Sequence, residues 1–375
     1  MEKNYFPCKV SDVLGESRKD EIAPKLVQEI AQKMEDIPER FLLKNDKISP
    51  AIDPPSNLWN DTLLIDFSLL SSQSLSSSSA QDELSKLHYA LSHWGCFQVI
   101  NHGMTSSFLD ELLNVSKQFF ALPLEEKLKC SITEDDYFNG YGNSSLISGD
   151  TKSLNWNDRL FLKLYPQDFR QIKLWPENPN NFREILGEYS LGMKRMLKVI
   201  LQAMAHSLKI EEDSFLNLHN EERGVIGIRF GMYPRCPCPD RVYGVHPHSD
   251  GSTITILLQD NDVPDEALHI LKDDKWYKVP NIPGALFVNA GDFAEIMSNG
   301  IFKSVVHRVV PNSKTERVSV ASFCVPDFEG EVEPINELIS PNKPQLYNKI
   351  LIQTYIKLFF ETYPLGKQVL DTLKI

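Results

Sequence analysis

The segment His246-Pro-His-Ser-Asp-Gly-Ser-Thr-Ile-Thr-Ile-Leu-Leu258 lies in a region of short strand-like runs that begins near residue 223. Its second half is rich in β-branched residues, which favour strands. Turn-forming Pro, Gly, Asn and Asp residues separate the runs, and this spacing predicts an antiparallel sandwich or barrel. The other runs are Val225-Ile-Gly-Ile-Arg-Phe230, Trp276-Tyr-Lys-Val279, Ala285-Leu-Phe-Val288, His307-Arg-Val-Val310 and Val318-Ser-Val-Ala-Ser-Phe323.

Helical patterns dominate the chain before this region. Apolar residues recur at helical spacing from Leu84 to Leu91, from Phe108 to Phe120 and from Asn181 to Leu208. Helical character returns between Pro344 and Phe360, after the strand-like runs. These patterns predict a helix-rich N-terminal region at 1–220, a β-rich core at 221–330 and a C-terminal helical segment at 331–375.

The composition suits one large globular unit, or two closely joined ones, that acts on a small molecule. The chain has 375 residues, of which 42% are hydrophobic, and a formal net charge of −12. A diffuse negative field repels nucleic acid and anionic membranes, so we expect neither as a partner. There is no run of about 18 apolar residues that would span a membrane. The N-terminal sequence also lacks the order of a secretory signal, which predicts a cytoplasmic protein.

His248 and Asp250 lie two positions apart on a predicted strand, so their side chains project to the same side. His307 begins a separate strand-like run. Two histidines and one carboxylate match the facial triad of non-haem iron(II) oxygenases, which leaves metal positions open. Taken alone, a His-x-Asp pair is more often only a hydrogen-bonded strand end, and His246 shares the strand parity of His248.

A basic residue and a hydroxyl residue follow in Arg317-Val-Ser319. The single intervening residue places both side chains on one side of a strand. The planar guanidinium matches a carboxylate, and the serine adds a further donor. This pair is typical of an anchor for a carboxylate cosubstrate, although a lone arginine can also be a surface ion pair.

Several motifs, in order along the chain, resemble those of the plant 2-oxoglutarate-dependent dioxygenases of specialised metabolism. This class includes anthocyanidin synthase, flavonol synthase and the opiate O-demethylases. The similarity extends from about residue 60 to 365. The motifs are Leu91-Ser-His-Trp-Gly-Cys-Phe-Gln-Val-Ile-Asn-His-Gly103, Phe230-Gly-Met-Tyr-Pro-Arg-Cys-Pro237, Pro247-His-Ser-Asp-Gly-Ser-Thr-Ile-Thr-Ile-Leu-Leu-Gln259, Gly291-Asp292, Ser298-Asn-Gly300, Ser304-Val-Val-His-Arg-Val-Val310 and Arg317-Val-Ser319.

The resemblance implies a mixed α and β fold. Its catalytic core at 221–330 would be a double-stranded β-helix (a cupin-like jelly roll), with helix-rich N-terminal and C-terminal parts. The cofactors implied are iron(II), 2-oxoglutarate as cosubstrate and O2, with ascorbate in a supporting role. The residues implied for iron are His248, Asp250 and His307, and those implied for 2-oxoglutarate are Arg317, Ser319 and Tyr233.

By the same resemblance, Phe161, Phe323 and Arg229 line the substrate side. Aromatic walls suit a hydrophobic, polycyclic plant metabolite. The implied reaction oxidises one of its C–H bonds, by hydroxylation or by O- or N-demethylation, and yields succinate and CO2. Relatives of this class are often monomers, and we expect the same here. The chain departs from the family at Gly231, where many relatives have asparagine; the sequence does not predict the effect.

Two other classes of protein are compatible with parts of this pattern. A non-catalytic binding protein could keep the fold and its small-molecule pocket, but it needs neither the triad nor the Arg317 and Ser319 pair. A zinc hydrolase could use two histidines and an aspartate, but it would have a nearby general base and no carboxylate anchor.

Overall fold

The computed structural model describes residues 26–33, 36–44, 47–71, 77–132, 139–143, 153–219, 223–260, 262–263, 267–362 and 369–375. Its helices are α1 (Val27–Gln32), α2 (Ser78–Tyr89), α3 (Ser106–Ala121), α4 (Leu124–Leu128), α5 (Phe182–Leu208), α6 (Asp292–Met297), α7 (Ile352–Thr362) and α8 (Leu370–Leu373). Its strands are β1 (Leu64–Asp66), β2 (Cys96–Ile100), β3 (Gly140–Asn143), β4 (Asp158–Tyr165), β5 (Val225–Tyr233), β6 (Val245–His248), β7 (Ile254–Gln259), β8 (Leu268–Lys272), β9 (Lys275–Lys278), β10 (Leu286–Ala290), β11 (His307–Val309), β12 (Arg317–Val325), β13 (Glu331–Val332) and β14 (Ile350–Leu351).

Two sheets form the jelly-roll core. The larger has eight strands in the order β1-β2-β10-β7-β12-β5-β4-β3, and the smaller has four in the order β6-β11-β8-β9. The long strands β12 and β5 pair antiparallel along their whole length, from Arg317 opposite Tyr233 to Val325 opposite Val225. The sequence prediction of a mixed α and β fold with a double-stranded β-helix core is confirmed.

The faces of the eight-stranded sheet differ in chemistry because side chains alternate along each strand. On one face, Ile226, Ile228 and Phe230 of β5 are almost fully buried in the main hydrophobic core, which also contains apolar residues of α3 and α5. The opposite face, which we call the inner face, carries Gly227, Arg229, Gly231 and Tyr233 from the same strand. This inner face positions the polar residues of the candidate site.

Most predicted elements are present, with some differences in extent. Helix α5 spans Phe182–Leu208, close to its predicted range. The C-terminal helix begins at Ile352 rather than near Pro344, because residues 350 and 351 pair with β13. Among the strands that were not predicted, β3 and β4 extend the large sheet beyond β5. Among the described helices, none has the length and apolar character needed to cross a membrane.

Candidate metal centre

The pairing of two short strands brings the three predicted metal ligands together. His248 ends β6 and His307 begins β11, and the two residues lie opposite each other in an antiparallel pair. Asp250 follows two residues after His248 and is buried. One ligand atom from each of the three side chains lies within 4.8 Å of the others. Strand pairing therefore brings the sequence-distant His307 to His248. Asp250 is close to His248 because it is only two residues away along the chain.

Backbone carbonyl groups orient both imidazoles. The Nδ1 atom of His248 lies 2.8 Å from the carbonyl oxygen of His246, and that of His307 lies 3.2 Å from the carbonyl oxygen of Val305. A carbonyl only accepts, so Nδ1 carries the proton and Nε2 is left as the free ligand atom. The two Nε2 atoms lie 3.5 and 3.8 Å from Oδ1 of Asp250.

Two side chains hold the other carboxylate oxygen of Asp250. Its Oδ2 accepts hydrogen bonds from the Thr255 hydroxyl at 2.7 Å and the Asn289 amide at 2.9 Å. These bonds turn Oδ1 toward the histidines. Burial alone would raise the pKa of Asp250, but the neighbouring His307, His248 and Asn289 side chains hold that pKa below its ordinary value. Asp250 is thus an ionised ligand.

The donor set fits iron(II). Desolvation by burial lowers the pKa of His307 to about 4, so the ring is neutral and its Nε2 lone pair is available. Two neutral imidazoles and one carboxylate on the same side are the ligands of the non-haem iron(II) oxygenases and leave further positions on the metal open. His246 lies outside this set because its ring nitrogens contact Ser153 at 2.9 Å and Asn155 at 2.6 Å.

Replacing Asn289 with alanine should weaken iron(II) binding about tenfold or more, because the amide orients a ligating carboxylate. Anaerobic metal titration would measure the affinity. Ser322→Ala is a matched control, since Ser322 is a polar residue equally buried in the large sheet but on its helix-covered face. Equal iron affinity in the Asn289 variant and the wild type would contradict this role.

A second group on the inner face fits a carboxylate. Arg317 and Tyr233 lie opposite each other on β12 and β5, with the guanidinium carbon 5.3 Å from the centre of the phenol ring. One guanidinium nitrogen donates to Gln259 at 3.3 Å, whereas Nη1 is buried without a hydrogen-bond partner. Ser319 is buried two residues along the same face. A buried cationic donor without a partner is a costly feature that an anionic ligand would compensate.

The residues predicted for the substrate side also come together. The rings of Phe161 and Phe323 stack with their centres 6.3 Å apart and their planes 27° apart. Arg229 lies beside them, because it pairs with Phe161 across β4 and β5. All three are only partly buried within strands that are otherwise almost fully buried. They therefore border accessible space on the inner face.

Sequence reasoning missed the residues that support the ligands. Thr255 and Asn289 lie opposite each other in β7 and β10. Each is a buried polar residue with apolar neighbours on both sides along its strand. Because buried polar groups are almost always hydrogen-bonded, this interruption of the apolar pattern was the available signal. It does not, however, indicate which partner the group binds.

Two family models match the chain. One, described as the 2OG-Fe(II) oxygenase superfamily, matches residues 214–326, and another, described as the non-haem dioxygenase in morphine synthesis N-terminal region, matches residues 64–178. Protein SRG1 of Arabidopsis thaliana is 36% identical over 339 residues, covering 90% of this chain and 92% of that protein. Codeine O-demethylase of Papaver somniferum is 38% identical over 293 residues, covering 78% and 80%.

The fold agrees with these matches. The crystal structure of JOX2 in complex with 2OG, Fe and JA has a TM-score of 0.82 against this chain at 31% identity, covering 94% of this chain and 98% of that one. This similarity extends over nearly the whole length and accompanies a ligand set suited to iron(II). The chain belongs to the 2-oxoglutarate- and iron(II)-dependent dioxygenases, in the class typified by these plant enzymes.

Proposed function

We propose that the protein oxidises a C–H bond of a hydrophobic, polycyclic plant metabolite, by hydroxylation or by O- or N-demethylation. The observation that carries this proposal is the stacked pair of Phe161 and Phe323, which borders accessible space on the inner face. Two neighbouring aromatic rings with planes only 27° apart offer an apolar wall, which suits a flat apolar substrate.

This aromatic wall lies close to the metal ligands. Phe323 on β12 is directly opposite Thr255 on β7, and Thr255 donates to the carboxylate of Asp250. Adjacent strands are about 4.8 Å apart, so a substrate against Phe323 lies beside the threonine that orients Asp250. The bound iron supplies the activation of O2; the aromatic residues determine which substrate carbon is presented to it.

Arg229 gives the substrate pocket one polar feature. Its Nη2 donates to Asn157 at 2.9 Å, and its Nε is buried without a hydrogen-bond partner. We infer that this free donor binds an oxygen of the substrate and fixes the orientation of the polycyclic scaffold. The relative named codeine O-demethylase supports demethylation as one form of the reaction.

We assign the distal carboxylate of 2-oxoglutarate to Arg317, Ser319 and Tyr233. The free Nη1 of Arg317 supports this assignment, since a carboxylate there would complete its hydrogen bonding. These residues fix one end of the cosubstrate, so that its 2-oxo acid end is oriented toward His248, Asp250 and His307. Their contribution is positioning, and it requires no proton transfer.

The test is substrate-dependent turnover. The protein would be supplied with iron(II), 2-oxoglutarate and O2 and offered flavonoid, coumarin, alkaloid and terpenoid substrates, each with and without a methyl ether. Succinate formed in step with a hydroxylated product or with formaldehyde would support the proposal. Phe323→Ala should then raise the KM for the substrate about tenfold while the affinity for 2-oxoglutarate is kept. Substrate binding without any 2-oxoglutarate consumption would instead indicate a non-catalytic binding protein.

A further inference from the structure

Strand β5 carries two glycines on the inner face, Gly227 and Gly231, on either side of Arg229. A glycine inside a strand weakens it and often marks a place where another group approaches the backbone closely. Both glycines are approached in this way by an aromatic ring. The two rings belong to different parts of the site, which allows the two positions to be compared directly.

At Gly231 the approaching group is the phenol of Tyr233. A Cβ atom at this position would lie 3.1 Å from both Cε2 and Oη of Tyr233, and 3.3 Å from Oγ of Ser319. The phenol therefore lies across the backbone of Gly231, with its hydroxyl beside the serine. Any larger side chain at position 231 would displace this hydroxyl.

We propose that Gly231 is a positioning residue for 2-oxoglutarate, acting through Tyr233. The inference rests on the proposed cosubstrate role of Tyr233, Ser319 and Arg317. Gly231 lies directly opposite Ser319, and Tyr233 lies directly opposite Arg317. Because Gly231 has no side chain, the phenol ring of Tyr233 can lie against β5. Its hydroxyl, the Ser319 hydroxyl and the Arg317 guanidinium then form one carboxylate-binding group, which we call the cosubstrate cradle.

The identity of residue 231 therefore determines the shape of the cosubstrate cradle. A side chain at this position would begin with a Cβ atom pressed against both the phenol and the Ser319 hydroxyl. We thus expect cosubstrate binding to depend on the pair of residue 231 and Tyr233 rather than on either alone.

Gly227 is the matched control. A Cβ atom there would lie 2.5 Å from Cζ of Phe161, which is a closer contact than the one at Gly231. Gly227→Ala therefore introduces the same methyl group, on the same strand and the same face, and also displaces an aromatic ring. The displaced ring belongs to the substrate side, so the affinity for 2-oxoglutarate should not change.

The experiment is an anaerobic titration of the iron(II)-loaded full chain with 2-oxoglutarate, followed by the visible charge-transfer absorption of the chelate. Gly231→Ala should raise the Kd about tenfold, because displacing a positioning group by less than 1 Å has effects of this order. Tyr233→Phe should also raise the Kd about tenfold. The double variant should raise the Kd by no more than about twentyfold, since the two changes remove the same interaction and their effects are not additive.

Four results would overturn the inference while leaving the proposed C–H oxidation intact. The first is a wild-type Kd in Gly231→Ala. The second is a wild-type Kd in Tyr233→Phe, which would also remove Tyr233 from the cosubstrate assignment. The third is a double variant whose Kd is raised by the product of the two single effects. The fourth is an equal increase in Kd in Gly227→Ala, because it would show that any added methyl group on β5 weakens 2-oxoglutarate binding. Tyr233→Phe adds no bulk, so it tests the inference even where Gly231→Ala fails to fold. No chelate absorption in the wild type would overturn both the inference and the proposed function.

Discussion

Replacing His307 with alanine is expected to reduce turnover by about a thousandfold or more, the scale seen when an essential member of a catalytic set is removed. The reason is geometric. His307 begins β11 directly opposite His248, and its Nε2 lies 3.8 Å from Oδ1 of Asp250. Without it, only two protein ligands remain, and a facial set of three is incomplete. Iron content after anaerobic loading and turnover of 2-oxoglutarate are the two measurements.

His246→Ala provides the control for this prediction. His246 is close in sequence and has the same strand parity as His248, but its ring contacts Ser153 and Asn155 instead of the ligand cluster. We expect this variant to load iron like the wild type. If His246→Ala lost iron while His307→Ala kept it, the assignment of the ligands would be wrong.

The sequence predicted the residues that bind the metal and the cosubstrate better than the residues that orient them. Residues two apart on a strand share a side, and this rule placed Arg317 and Ser319 together on β12. It also paired His248 with Asp250 correctly, although β6 ends at His248 and Asp250 lies just beyond it. The partners of Asp250 could not be found in this way, because Thr255 and Asn289 are brought together by the pairing of β7 with β10. Such pairing depends on long-range contacts that the spacing of residues along the chain does not encode.

The missed strands have a similar explanation. In β4 nearly every residue is buried, so the alternation that identifies a half-exposed strand is absent. Strand β3 contains Gly140 and Gly142, and glycine has a low intrinsic preference for strands. Its conformation follows from tertiary contact: a Cβ atom at Gly140 would lie 2.6 Å from the carbonyl oxygen of Cys130. Helix α5 was predictable because its apolar stripe is long and regular.

The second large effect is expected at Arg317. Replacing it with methionine should raise the Kd for 2-oxoglutarate about thirtyfold or more, since truncating one partner of a buried charge pair costs ~2–5 kcal/mol. Arg317→Lys should fall between the wild type and Arg317→Met, because it keeps the charge but loses the planar fork. Arg195→Ala is the control, as this arginine donates to the carbonyl of His102 away from the inner face. The anaerobic chelate titration measures all four proteins.

Arg317→Met should have the opposite effect on the stability of the ligand-free protein. The Arg317 guanidinium is buried, its pKa is lowered by that burial, and its Nη1 has no hydrogen-bond partner. A desolvated, incompletely paired cation contributes little to folding, so methionine should leave the ligand-free Tm unchanged or raise it. The increase in Tm on adding 2-oxoglutarate should be lost, because stabilisation by a ligand follows its affinity for the native state. A lower ligand-free Tm with normal 2-oxoglutarate binding would make Arg317 a structural residue. The expected pattern would instead mean that this cation is kept at a cost in stability because the cosubstrate requires it.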